Sequence, residues 1–289
     1  MRKGIVLLVA AVLAAVVYGQ QPSAPSTRVD ENVVYATVTG AELHLDVFEP
    51  AAGGGNRAAV VLIHGGTWSS LDKSTMRGMG QFLSRHGIVA FAVDYRLYHD
   101  GQNRWPAQLD DVQRAVRWVR ANASRYGVNP DRIGAFGHSA GGQLAALLGM
   151  EDTRDNSDPA LAKFSSRVQA VVDVSGPTDF TRDHDSDGDA FLAHFLGVAY
   201  SQKPEVWRGA SPALQVAQGD APFLIVHGTQ DENVPMSQAQ ELLEKLQAAG
   251  VPATLVKVED GHTFSTPDAR RQLALQTLAF FSRYLTAVQ

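Results

Sequence analysis

Six short runs of β-forming residues, most of them without a polar face, constrain this chain more than any other feature. They are 59–63 (AVVLI), 88–93 (IVAFAV), 132–136 (RIGAF), 168–174 (VQAVVDV), 223–226 (FLIV) and 253–258 (ATLVKV). A strand lacking a polar face must be covered on both sides, which places it in a parallel sheet beneath helices. Helical periods separate the runs. The clearest is Leu109, Val112, Val116 and Val119, spaced i, i+3, i+7, i+10, which puts Asp110, Arg114, Arg117 and Arg120 on the solvent side. Further helices are expected over 140–150, 236–249 and 269–285. Ahead of them, 33–38 and 43–48 alternate apolar and polar residues around Thr39-Gly40, the pattern of an antiparallel hairpin. Together these elements predict one α/β domain over 31–289, a mostly parallel sheet of about eight strands flanked by helices. Segment 176–217, rich in Asp, Gly and Pro, sits between two strands and is too long for a bare loop; it reads as an inserted, partly helical cap.

Composition closes off several classes. With 45% hydrophobic and 19% charged residues the chain supports a large core, which excludes intrinsic disorder and coiled coil. A formal charge of −5 leaves no basic footprint for nucleic acid. The absence of cysteine excludes a disulfide scaffold, a thiolate zinc site, a thiol nucleophile and a cysteine-linked lipid. Residues 1–19 carry Arg2 and Lys3, an apolar run over 5–17 and small residues at 17 and 19, the layout of a cleavable export signal. The run is shorter than the roughly 20 residues that cross a bilayer. A secreted or periplasmic protein without a stable membrane anchor is therefore expected, with a flexible Pro/Ser tail over 20–30.

Directly after the 132–136 run stands Gly137-His138-Ser139-Ala140-Gly141-Gly142, followed at once by an apolar helical stretch. This is G-x-S-x-G at a strand–turn–helix junction, where the serine hydroxyl is held out at the carboxyl edge of the sheet. The starting helix aims its backbone N–H groups and positive dipole end at the same place. A serine hydroxyl needs a base, and the base needs a partner that fixes its tautomer. Asp231, after the 223–226 run, and His262, after the 253–258 run, supply them in the chain order Ser, acid, His. Glu232 and Asp260 are the competing acids. His227 reads as a buried structural donor, and His138 as a ring that packs or hydrogen-bonds locally.

After the 59–63 run comes His64-Gly65-Gly66-Thr67-Trp68. Its glycines Gly65 and Gly66 let main-chain N–H groups approach a substrate oxygen, so the amides of Gly66 and Thr67 with that of Ala140 are the expected oxyanion donors. His64 is expected to brace this loop and Trp68 to wall the substrate pocket. Asp183-His184-Asp185-Ser186-Asp187-Gly188 matches the first half of a calcium loop, but His194 stands where a bidentate Glu is required, so it reads as a solvated acidic loop and no metal is assigned.

These residues resemble the α/β-hydrolase superfamily over roughly 33–285. HGGTW at 64–68, DYRL at 94–97, the stretch 105–142 and HGTQDENVP at 227–235 resemble the branch of bifunctional feruloyl and acetyl-xylan esterases, close to kynurenine formamidases and hormone-sensitive-lipase-like esterases. The last group usually carries HGGG and an Asp before the serine; here Thr67 and His138 take those places. Peptidases related to prolyl oligopeptidase have Tyr where this chain has Ala140. The resemblance implies hydrolysis of a small-molecule or polysaccharide-linked ester through an acyl-enzyme, with no cofactor. Lipase-like and arylformamidase-type activities, and a non-catalytic binding role of the same fold, are the alternatives. The oligomeric state is left open.

Overall fold

The computed structural model describes residues 27–286 apart from 52–53 and 183–185, with backbone alone for 186–189. Residues 1–19, read as an export signal, lie outside this range, as does the 183–185 half of the acidic loop.

Thr39 and Gly40 both have positive φ and close a tight turn between β1 (Thr27–Val38) and β2 (Ala41–Pro50), which pair antiparallel. The flexible tail expected over 20–30 is corrected at its end. Thr27, Arg28, Val29 and Asp30 are already strand, paired with Pro50, Glu49, Phe48 and Val47, because the edge of β2 satisfies their backbone groups.

The six apolar runs form β3 (Arg57–Ile63), β4 (Val89–Val93), β5 (Val128–His138), β6 (Ala170–Val174), β7 (Phe223–Gly228) and β8 (Ala253–Val258). The sheet order is β1-β2-β4-β3-β5-β6-β7-β8, parallel from β4 to β8. Strand β3 shows why the runs lack a polar face. Ala59, Val61 and Ile63 enter one core and Val60 and Leu62 the other, all fully buried.

Helices α1 (Arg77–Arg85) and α7 (Pro267–Phe281) cover one face; α2 (Ala107–Ala121), α3 (Ala140–Met150) and α6 (Met236–Ala248) cover the other. The 176–217 segment carries α4 (Ser186–Leu196) and α5 (Pro204–Gly209). Its Phe180, Phe195 and Trp207 are buried in the same core as Trp68. The 186–188 part of the acidic loop is helical rather than turned as a calcium loop requires. Among the described residues no group of three His, Asp or Glu could hold a metal ion, and no helix is long and apolar enough to cross a membrane.

Two expected solvent positions on α2 are buried instead. Arg114 and Arg117 are 6% and 1% exposed. The chain after α3 folds over them: Arg114 pairs with Asp111 and Asp155, and Arg117 donates to the carbonyls of Leu161 and Asp155. A buried guanidinium needs such acceptors, since its desolvation is otherwise uncompensated.

Candidate active site

Ser139 sits at φ 57°, ψ −122°, between the last residue of β5 and the first of α3. Two glycines make this turn possible. A Cβ on Gly137 would lie 1.9 Å from the Gly141 carbonyl oxygen, and one on Gly141 would lie 2.2 Å from the oxygen of Ile63. The strand therefore reverses into the helix with no room for side chains on either side of the serine, and its hydroxyl stands at the sheet's carboxyl edge.

Strands β7 and β8 end at the same edge and deliver Asp231 and His262. The Oγ of Ser139 lies 2.9 Å from His262 Nε2, and His262 Nδ1 lies 2.8 Å from Asp231 Oδ2. A carboxylate only accepts, so the Nδ1–H donates to Asp231 and leaves Nε2 free to accept the serine proton. Burial alone would raise the Asp231 pKa, but the hydrogen bonds from the His262 ring and the Val234 N–H outweigh it and hold the acid at about 2. Its other oxygen accepts from the main-chain N–H groups of Asn233 and Val234, each at 2.9 Å, which fixes the carboxylate toward the histidine.

The competing acid Asp260 has a different task. Its Oδ1 accepts from the N–H of Gly261 and from the N–H and hydroxyl of Ser265; its Oδ2 accepts from the N–H and hydroxyl of Thr266. Hydrogen bonds from Thr266, then those from Gly261 and Ser265, keep this carboxyl well below the usual range. It shapes the loop that carries His262 and leads into α7. Glu232 lines the cavity in front of the serine and makes no bond to His262 among the described residues.

His227 is fully buried, its Nε2 against the Val234 carbonyl at 2.9 Å, which steadies the Asp231 loop. His138 differs from its expected local role. Its Nε2 is 2.8 Å from the main-chain oxygen of His262, 124 residues away in sequence.

The 64–68 loop is braced from below. His64 Nδ1 bonds the Gly65 carbonyl at 2.8 Å, its ring stacks on Tyr95 at 4.2 Å, and the Tyr95 hydroxyl donates to the carbonyls of His64 and Gly65. Gly66 and Thr67 of this loop line the same cavity as Ser139 and Ala140. Among the described residues the N–H groups of Gly66, Thr67 and Ala140 have no acceptor, the condition an oxyanion site requires. Trp68 is 4% exposed, stacks on Phe195 at 4.7 Å and donates its Nε1–H to Gln143 at 3.0 Å. Gln143, on the turn of α3 after the serine, in turn donates to the Ala210 carbonyl. Serine helix, 64–68 loop and cap segment are thereby tied through one buried amide.

Sequence reasoning passed over three residues here: Tyr95, Gln143 and Asp173. The DYRL motif carried a signal for the first, since Arg96 beside it is paired bidentately with buried Asp111, at 2.8 Å on each oxygen. Asp173, on β6 beside the elbow, is fully buried; desolvation lifts its carboxyl to about 7 against one hydrogen bond from the Gly176 N–H.

A cavity of about 610 Å³ opens in front of Ser139, walled by Trp68, Phe180, Phe191 and Val234, with Thr67 and Ala140 at its base. A serine elbow at the end of a central parallel strand, served by a histidine and an acid from two later strand ends, is the mark of the α/β-hydrolase fold, and this chain has that fold. Within it the chain belongs to the BD-FAE family, which matches residues 45–246. It is 33% identical over 201 residues to the probable carboxylic ester hydrolase LipM of Mycobacterium tuberculosis, covering 67% of this chain and 46% of LipM. The chain spans about half the length of the curated relatives it matches. Among solved structures it is similar to esterase 2 of Thermogutta terrifontis phosphonylated by sarin, with TM-score 0.78 and 27% identity over 92% of this chain and 99% of that one. It is also similar to a truncated carbohydrate esterase from gut microbiota, with TM-score 0.77 and 27% identity over 92% and 99% of the two chains.

Proposed function

We propose that this protein is a serine carboxylesterase. The observation that carries the reading is the continuous chain from Ser139 Oγ through the His262 ring to Asp231, facing a cavity beside three amides without acceptors. In this mechanism His262 Nε2 takes the proton as Ser139 Oγ bonds to the ester carbonyl carbon. The Gly66, Thr67 and Ala140 amides receive the oxyanion. Collapse breaks the bond to the alkoxy oxygen, which leaves with the proton from His262. Water then gives a proton to His262, attacks the acyl carbon, and the acid departs as Ser139 regains its proton. No step calls on a cofactor. The phosphonylation of the Thermogutta esterase and the names of the other relatives support ester hydrolysis.

For the substrate we propose short acyl or aryl esters, with acetyl and feruloyl groups on plant polysaccharides as the natural targets. The aromatic walls at Trp68, Phe180 and Phe191 and the similarity to a carbohydrate esterase support this choice. We further propose export, with removal of 1–19, on the basis of the residue pattern alone. The deciding experiment is hydrolysis of p-nitrophenyl acetate, butyrate, octanoate and palmitate beside methyl ferulate and acetylated xylan, with Ser139→Ala as control. Turnover of acetate, ferulate or xylan that vanishes in the variant is expected. Activity that survives in Ser139→Ala would refute the site, and preference for palmitate would refute the substrate class. N-terminal sequencing of the exported protein tests the cleavage; a chain still beginning at Met1 contradicts it.

A further inference from the structure

A second cavity of about 710 Å³ lies on the other side of the histidine loop, between α1 and α7. Its walls are apolar: Met76, Met79 and Phe82 from the start and face of α1, Leu273 and Leu275 from α7, and Phe264 from the loop. That volume is in the range of sites for small organic ligands. Two of its apolar side chains remain open to solvent, Leu71 at 53% and Leu275 at 50% exposed. This groove adjoins the serine cavity rather than standing apart, since Leu71, His138 and Thr263 line both. Gly65 lines it as well, and a Cβ built there would fall 3.1 Å from the Cβ of Ser139.

Cations stand at both of its ends. Helix α1 starts after the carboxyl edge of β3 and runs back toward the opposite edge, so Arg85, in its last turn, marks the far end. Helix α7 starts right after the histidine loop, so Arg270 and Arg271, in its first turn, mark the near end. Arg270 donates to the Phe264 carbonyl at 2.9 Å. Arg85 and Arg271 are exposed and have no carboxylate partner among the described residues. An apolar trough rimmed by unpaired guanidinium groups is complementary to an amphiphile whose hydrocarbon limb carries an anionic group.

We propose that the α1/α7 groove is a second substrate subsite, which takes the apolar limb of an ester ending in a carboxylate. The ester bond lies at Ser139, the limb passes Leu71, His138 and Thr263, and the anion pairs with Arg85 at the far end. This rests on the serine-esterase mechanism above and not on the short-acyl choice of substrate, because it selects long acidic amphiphilic esters over neutral ones of equal length.

The test compares p-nitrophenyl butyrate, p-nitrophenyl decanoate and the mono-p-nitrophenyl ester of sebacic acid, which has the decanoate's chain length and a terminal carboxylate. The wild type should show the lowest KM for the sebacate half-ester. Arg85→Glu should raise that KM by about tenfold or more, about 1.4 kcal/mol of binding, and leave decanoate and butyrate unchanged. Ala274→Trp, which fills the groove from α7, should raise KM for both long esters and spare butyrate. A sebacate KM indifferent to charge reversal overturns the proposal. Binding of dansylaminoundecanoate and of its uncharged amide to the Ser139→Ala protein, read by dansyl fluorescence, judges the groove without catalysis. The acid should bind at least about tenfold tighter than the amide and lose that margin on charge reversal. Equal binding of the two probes overturns the subsite, whereas failure of the wild type to turn over butyrate overturns the esterase reading instead.

Discussion

The ring of His138 holds His262 by its backbone: its Nε2–H donates to the main-chain oxygen of His262 at 2.8 Å, with the two rings 5.0 Å apart. The residue that precedes the serine thus sets the height of the loop carrying the base. Burial, and then the neighbouring His262 ring, lower the His138 pKa against the pull of that bond and of Asp231, so a neutral ring that donates from Nε2 is the stable form. His138→Leu should lower kcat on p-nitrophenyl butyrate about tenfold or more with KM near wild type, because small misplacements of a base are costly in rate. His138→Gln, whose amide donates in the same direction, should recover most of the loss. Equal defects in the two variants would show that the ring acts by packing alone.

Asp231 and Asp260 follow strands β7 and β8 and flank His262 in space, yet they separate cleanly. Asp231→Asn removes the acceptor that fixes the Nδ1–H tautomer, and in such an arrangement kcat falls by about 10³–10⁴ with the fold intact. Asp260→Asn loses acceptor capacity for the five donors of the 261–266 loop. That change should lower Tm and reduce kcat by less than about 10²-fold. Parallel kinetics and thermal melts of the two variants check the assignment, and a larger kcat loss in Asp260→Asn would reverse it.

The elbow tolerates nothing at its two flanking glycines. A methyl group on Gly137 or Gly141 meets main-chain oxygens at 1.9 Å and 2.2 Å, and backbone in a central strand has no slack to move away. Gly137→Ala and Gly141→Ala should therefore yield little folded protein, whereas Ser139→Ala should melt close to wild type. Circular dichroism melts of the three variants decide this, and a cooperative, wild-type-like melt for Gly137→Ala would contradict the packing described.

Much of this was readable in the residues, for reasons that also explain what was not. Strands covered on both faces leave unbroken apolar runs, which marks β3 to β7, while β1 and β2 show as an alternation around Thr39-Gly40 and the edge strand β8 as a short β-rich run; Ser139, Asp231 and His262 were legible because each follows one of these strands. Helix α1 was not, since its nine residues carry only three large apolar side chains, Met79, Phe82 and Leu83, too few turns for a period to stand out. Gly80 is there because a Cβ would come 2.5 Å from the Phe48 ring. Periodicity told which side of α2 is apolar but not what covers the polar side, so the burial of Arg114 and Arg117 under the 151–169 segment escaped it. The reach of His138 to a carbonyl 124 residues distant is likewise a property of the closed sheet alone.

Asp173 gives the molecule a measurable pH dependence. Its pairing partner on β5 is Gly137, so it stands beside the elbow; its Oδ1 accepts from the Gly176 N–H at 3.0 Å and its Oδ2 has no partner. Burial raises its pKa from 3.8 to about 7. Between those values the folded chain holds a proton that the unfolded chain has released, so stability from this group is full below about pH 4 and falls as pH rises to about 7. Fully expressed, the difference is on the order of 4 kcal/mol. Asp173→Asn keeps the shape, removes the ionisation and should raise Tm at pH 8 by several degrees while leaving it nearly unchanged at pH 4. Melts of both proteins across that interval test the argument. A Tm difference independent of pH would mean that Asp173 is ionised in the fold and paired in a way its single hydrogen bond does not reveal.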